Sequence, residues 1–251
     1  MNLGSPDSPT AKALKPYLTE FLMDERVIDL PFLLRTLIVR GIIVPFRSPK
    51  SAEKYKSIWT DEGSPLIVHT QKLTELVQQK FDQPVYYGMR YGNPATVSLL
   101  EKIHDENPGL MELIMVPLYP HYAMSSYETA VVQVKELHVK GGYKSTLKII
   151  PPFYNDKDYI HALADSIRPY MSPDTDHYLF SYHGIPERHL KKTDCTGNHC
   201  LKVLDCCNVP SKAHEVCYRH QVITTTELVT KELGIPKDKY SFSFQSRLGA
   251  D

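Results

Sequence analysis

Apolar side chains fall at helical spacing through the first 80 residues and then shift to short runs separated by helical stretches. Ser8-Pro9 suits a helix start, followed by Leu14, Tyr17, Leu18, Phe21 and Leu22 on one face. A second helix is predicted from Pro31 to about Ile43, a third from Ser48-Pro49 through Tyr55 and Trp59, and a fourth from Ser64-Pro65. Strands and helices then alternate: strands over 85–90, 112–118, 146–150, 178–183 and 240–245, with helices over 94–104, 125–140, 157–170 and 213–233. This alternation predicts an α/β fold with parallel sheets flanked by helices. Pro151-Pro152 suits a boundary between two α/β halves, 1–150 and 151–251.

Charge narrows the field. The 29 basic and 29 acidic side chains cancel, which argues against a nucleic-acid partner. With 42% apolar and 23% charged residues the chain has ample material for a core. The opening Met1-Asn2-Leu3-Gly4 lacks the basic start and apolar stretch of a signal peptide. The most apolar region, 27–46, is broken by Asp29, Pro31, Arg35, Arg40 and Gly41 and is a poor spanning helix. A cytoplasmic protein is expected, with peripheral contact to a membrane left open. No dinucleotide-binding glycine pattern, phosphate-binding loop or nucleophile elbow occurs.

Polar clusters at strand ends mark where a ligand sits in such sheets. Arg90-Tyr91-Gly92-Asn93 follows one strand; Ser181-Tyr182-His183-Gly184 ends another. An imidazole at His183 can bind a metal ion or take protons near neutral pH, or it is a loop histidine bonded to backbone. Arg90 and Tyr91 suit a flat anionic ligand, and Tyr119, Tyr122 and Tyr127 with Ser125 and Ser126 add an aromatic, hydroxyl-rich loop; burial of common tyrosines explains them equally well. All five cysteines, Cys195, Cys200, Cys206, Cys207 and Cys217, lie in one segment with His199, His214 and His220 among them. Four thiolates there can hold an iron–sulfur cluster or zinc, although the paired C-x2-C of zinc sites is missing; free thiols or a disulfide are the alternatives.

The motifs Asn2-Leu3-Gly4-Ser5-Pro6, Gly88-Met89-Arg90-Tyr91, Leu118-Tyr119-Pro120, 181–186 (Ser-Tyr-His-Gly-Ile-Pro) and Phe244-Gln245-Ser246-Arg247 occur in an order that resembles the ferrochelatases. The resemblance spans nearly the whole chain. It implies two Rossmann-like halves around a cleft, the second half incomplete here, and insertion of ferrous iron into protoporphyrin IX to give haem, with no organic cofactor. His183 matches the family's active-site histidine, implying that it accepts pyrrole protons, binds the incoming iron, or both. Leu3 falls where the family lines the porphyrin face; Phe21, Arg47, Tyr55, Ser64, Arg90 and Tyr91 match pocket or propionate-side positions. The apolar helices around 21–46 resemble a cleft lip that touches the membrane in some members.

The cysteine segment, 194–218, resembles an insertion that ligates a [2Fe–2S] cluster in a bacterial subset, implying Cys200, Cys206, Cys207 and Cys217 as ligands and Cys195 as spare. Met124 stands where animal-type members place an internal cysteine. Relative to the family pattern the chain is expected to lack a strand upstream and a tail carrying the glutamate opposite the histidine. A chelatase for another metal or for coproporphyrin, and a non-catalytic iron–sulfur or haem-binding protein on the same scaffold, are the competing readings.

Overall fold

A computed structural model describes residues 1–245; Ser246 and Arg247 of the last motif lie outside the described residues. The chain forms six strands and nine α-helices among these residues: β1 (Asn2–Ser5), α1 (Ala11–Leu22), α2 (Phe32–Ile38), α3 (Val44–Ile58), α4 (Pro65–Gln78), β2 (Met89–Gly92), α5 (Thr96–Glu106), β3 (Glu112–Met115), α6 (Thr129–Lys140), β4 (Thr146–Ile149), α7 (Lys157–Ile167), β5 (Tyr178–His183), α8 (Glu187–Thr193), α9 (Tyr218–Glu232) and β6 (Tyr240–Gln245). The strands pair in parallel as β1 with β2, β3 with β4 and β5 with β6, the arrangement expected for an α/β chain whose strands are joined through helices.

Two compact units emerge, Met1–Leu118 with Glu128–Ile150, and Tyr119–Tyr127 with Pro151–Asp251. In the first unit, α1 starts at Thr10, whose Oγ1 accepts from the Ala13 N–H at 3.3 Å. The buried face of α1, Leu14, Tyr17, Leu18 and Leu22, packs with Val39, Val44, Ala52 and Tyr91 into one core. The second and third expected helices run into each other: a π-helical turn over Val39–Ile43 joins α2 to α3. That extra residue per turn breaks the 3.6-residue period, so sequence spacing placed the start of α3 too late. The strand expected over 85–90 sits at Met89–Gly92 instead, because only there does β1 offer a partner.

β1 and β2 approach very closely at Gly4. A Cβ there would stand 1.7 Å from the Tyr91 carbonyl oxygen, and the residue has φ +110°. Glycine alone meets both demands. The N-terminal amine donates to the Val116 carbonyl at 2.9 Å and Leu118 N–H donates back to the Met1 carbonyl at 2.8 Å, which ties β1 to the stretch after β3.

In the second unit, Asp156 caps α7 through the amides of Asp158 and Tyr159. Ile160 and Ala164 of α7 pack against Val229, Leu233 and Ile235, with Tyr178, Phe180 and Tyr240 of the β5–β6 pair against them. The alternation of β5 places Tyr178, Phe180 and Tyr182 half-buried on one face and Leu179, Ser181 and His183 exposed on the other. Helix α9 buries a polar stripe, Gln221, Thr225, Thr226 and Thr230. Thr226 returns its hydroxyl to the Val222 carbonyl at 2.9 Å and Thr230 to Glu227 at 3.1 Å, so the stripe needs no water.

Replacing Gly4 by Ala is expected to cost about 3–5 kcal/mol, from the positive φ and the collision with backbone. Urea unfolding of the two proteins measures it; a loss under about 1 kcal/mol would mean that the β1–β2 approach is looser than described.

Candidate functional site

The strand-end cluster in the first unit is organised by a carboxylate. Asp24, just beyond α1, receives through Oδ2 the Arg90 guanidinium (Nη2, 2.5 Å), the Tyr91 hydroxyl (2.9 Å) and the Thr129 hydroxyl, and through Oδ1 the Arg26 N–H (2.8 Å). Arg90 Nε donates to Thr129 Oγ1 at 2.7 Å, and its Nη1 lies 3.8 Å from Glu20. Side chains of Asp24 and Arg90 are 5% and 13% exposed, so this is a buried ion pair. Burial pushes the Asp24 carboxyl up, but the hydrogen bonds from Thr129 and the Arg26 N–H, the Arg90 charge and the Tyr91 hydroxyl outweigh it and leave the acid below its ordinary range. Burial likewise pushes the Tyr91 phenol well up, so it stays a neutral donor.

Around that network lies an aromatic cluster. Phe21 meets Tyr91 edge to face at 5.1 Å and stacks with Tyr17 at 6.4 Å; Tyr17 in turn meets Tyr55, which meets Trp59. Leu3, Phe21 and Tyr55 pack half-buried against the first core, whereas Tyr91 is inside it with no exposed surface. Arg47 is exposed on α3, near enough for its charge to act on the Tyr55 phenol, which burial pushes up overall. The structure thus brings Leu3, Phe21, Tyr55, Arg90 and Tyr91 together. Ser64 is buried at the N-terminus of α4. Beside this cluster, α2 and the π-turn expose Phe32, Leu33, Leu37 and Ile42, and Phe46 follows on α3.

His183 closes β5 and pairs with Gln245 of β6; the next amide, Gly184 N–H, donates to the Gln245 carbonyl at 2.8 Å. Its neighbour Tyr182 faces the other way and donates to Thr226 Oγ1 at 2.7 Å. The imidazole is therefore presented from a strand end on an exposed face.

The cysteine segment folds around its thiols. Cys200, Cys206, Cys207 and Cys217 are buried and Cys195 is exposed. Asp194 accepts from the amides of Thr196, His199 and Cys200 at 2.8–2.9 Å and from the Thr196 hydroxyl, and these bonds hold its carboxyl far below the ordinary range despite burial. His199 and His214 both donate Nε2–H to the Cys206 carbonyl (2.7 and 2.8 Å), and His220 donates Nδ1–H to Cys207 (2.7 Å). Leu201 and Asp205, flanking Cys200 and Cys206, adopt φ of 60° and 54°, left-handed conformations costly for Leu. The Cys207 and Cys200 thiols and the His220 N–H favour a thiolate at Cys217, whereas hydrogen bonding to Cys217 and burial push Cys207 up, and burial foremost pushes up Cys200. Among the described residues no three His, Cys, Asp or Glu groups are disposed to hold a single metal ion, and no helix is long and apolar enough to cross a membrane.

Sequence reading missed Asp24, Thr129, Asp194 and Gln221. Asp24 and Arg90 are too far apart in the chain for any spacing to pair them. Asp194-x-Thr196 is a turn signature that was legible.

A protein-family model for ferrochelatase matches residues 1–251. The chain is 48% identical to the ferrochelatase of Opitutus terrae over 99% of its own length and 72% of that protein. It is 43% identical to that of Pseudomonas entomophila, and 41% identical to that of Pseudomonas savastanoi pv. phaseolicola, over 99% of this chain and 74% and 73% of those proteins. A family match over the full chain, together with relatives this similar, shows that the chain belongs to the ferrochelatase family.

Proposed function

We propose that the chain inserts ferrous iron into protoporphyrin IX, with His183 as the group that receives the pyrrole protons. Family membership carries the reaction; the exposed imidazole at the end of β5 supports the assignment of the residue. Insertion exchanges the two pyrrole N–H bonds for bonds to iron, releases both protons, and leaves the metal ferrous. The barrier lies in a flat ring whose lone pairs point inward, and binding energy on the ring faces offsets the distortion that exposes one. Leu3, Phe21 and Tyr55 supply an apolar face backed by the buried Tyr91; Arg47 and Arg90 serve the propionate side, and Ser64 a pocket edge. In sequence the two halves are residues 1–150 and 151–251, with 194–218 inserted in the second, and Tyr119–Tyr127 is the stretch of the first that packs within the second compact unit. The protein works in the cytoplasm, and the exposed apolar side chains between Phe32 and Phe46 support peripheral contact with a membrane.

A [2Fe–2S] cluster fits the donor set of the cysteine segment: four buried thiols in mutual contact or electrostatic reach, with Cys195 turned out to solvent. Cys200, Cys206, Cys207 and Cys217 would hold it. Bound there it supplies a one-electron couple, which an insertion without change of oxidation state does not draw on.

Three outcomes test these roles. His183→Ala should lower iron insertion by at least about a hundredfold while protoporphyrin still binds, as expected for loss of a proton acceptor; retained turnover would sink the assignment. Protein purified in air should be brown with about two irons per chain, keep its colour in Cys195→Ser and lose it in Cys217→Ser. A colourless product with one zinc would remove the cluster. Asp24→Asn should lose about 3–5 kcal/mol of stability at neutral pH, as when a buried pair is broken, and raise the KM for protoporphyrin. The Asp24 contribution is present above the ordinary carboxylate range and lost as pH falls through the depressed folded value. Acid unfolding of the variant should therefore be less steep; an unchanged acid limb would show that the network is not what holds the unit.

A further inference from the structure

Residues Tyr119–Tyr127 belong to the second unit although both flanking stretches belong to the first. One of the side chains that fix this strap is Gln221. Gln221, without exposed surface, accepts the Tyr122 N–H on Oε1 at 2.6 Å. Its Nε2 donates to the carbonyls of His214 (3.2 Å) and Glu215 (2.9 Å), in the 3-10 turn Lys212–Val216 that leads directly into Cys217. Its backbone N–H donates to the Cys217 carbonyl at 3.0 Å. Both amide protons and the amide oxygen are thus committed, one end to the strap and the other to the turn that delivers a thiol. The same turn is tied back to the cysteine loop by His214, whose Nε2–H meets the Cys206 carbonyl.

A second anchor is independent of the cysteines. His121 lies edge-on to Tyr182 and Tyr218 at 5.9 Å each and donates Nε2–H to Thr225 Oγ1, which passes its own proton to the Tyr154 carbonyl. Burial pulls the His121 pKa down to about 4, so this contact stays neutral across physiological pH. Of the two anchors, only Gln221 connects the strap to groups whose positions a cluster would set.

We propose that Gln221 is a positioning residue through which occupancy of the cysteine nest orders the Tyr119–Tyr127 strap. The claim rests on the cluster reading above. Fixing Cys217 against Cys200, Cys206 and Cys207 fixes the adjoining carbonyls of residues 214 and 215, hence the Gln221 amide, hence the Tyr122 N–H. Releasing Cys217 frees the carbonyls and leaves the buried amide to choose between its partners. The strap carries Tyr119, Tyr122 and Tyr127, flat rings with a polar edge of the kind that lines a planar anionic ligand. The cluster would act on iron insertion by holding these rings and not by moving electrons.

Hydrogen exchange on the full chain, read by mass spectrometry over 119–127, tests the link. Three samples are compared: protein as purified, the same protein stripped of iron by chelator and reductant, and Gln221→Met. Stripping should speed exchange over 119–127 by about tenfold, the order of one lost hydrogen bond, while peptides covering β3 stay unchanged. Gln221→Met should show the same rise with its visible cluster absorption intact, and a raised KM for protoporphyrin with a smaller change in kcat. Gln221→Glu, which keeps an acceptor for Tyr122 N–H, should show a smaller rise. Unchanged strap exchange in the stripped wild type overturns the proposal without need of any variant, and so does an unchanged strap in a brown Gln221→Met. A chain isolated colourless and free of iron removes the cluster reading and with it the claim about occupancy. Faster strap exchange in Gln221→Met would then still support Gln221 as the anchor.

Discussion

A carboxylate taken out of water must be compensated, and the first unit is arranged around doing that for Asp24. Four donors from three parts of the chain meet it: Arg26 beside it, Arg90 and Tyr91 from β2, and Thr129 from the start of α6. Because Arg90 and Tyr91 are neighbours on a strand, their side chains would ordinarily point to opposite faces. Here the guanidinium lies 4.2 Å over the Tyr91 ring and both heads reach the same carboxylate. The aromatic cluster then has a fixed backing, with Phe21 edge-on to Tyr91 and Tyr55 reached through Tyr17. Gly4 lets β1 lie against the Tyr91 carbonyl, which brings Leu3 to the same side. Arg90 is consequently a braced side chain, whereas Arg47 is exposed on α3.

The second unit solves a different problem with the same economy of partners. Helix α9 buries Gln221, Thr225, Thr226 and Thr230, a polar stripe that would be costly in a core unless each group is bonded. The stripe serves as an adaptor: Thr226 receives Tyr182 beside the exposed His183, Thr225 receives His121, and Gln221 joins the strap to the cysteine turn. In the cysteine segment, backbone carbonyls of Cys206 and Cys207 are held by three imidazoles and Asp194 gathers the amides before Cys200. This lattice lets Leu201 and Asp205 persist in left-handed conformations, because the surrounding bonds over-determine them.

Where one element's own sequence decides its structure, the reading was close. The strands over 178–183 and 240–245 and the helix opened by Ser64-Pro65 are found where spacing places them. β1 was not legible, since four residues with one apolar side chain carry no period and become a strand only beside Met89–Gly92. The π-turn at Val39–Ile43 escaped because its geometry lies outside the regular periods, and α8 because seven residues are too few to show one. Of the expected site, Leu3, Phe21, Tyr55, Arg90 and Tyr91 share one cluster, and four of five cysteines share one buried nest. Asp24 and Gln221 were invisible because their meaning lies in partners 66 and 99 positions away.

The central claim is that this chain metallates a porphyrin by proton-coupled insertion. The most direct measurement mixes the protein anaerobically with protoporphyrin IX and excess ferrous iron in weakly buffered solution. Haem absorbance and a pH indicator are followed together. Haem should form faster than in a protein-free control, with a pair of protons released per iron inserted and no oxidation of the remaining iron. Haem formation at the control rate would contradict the account.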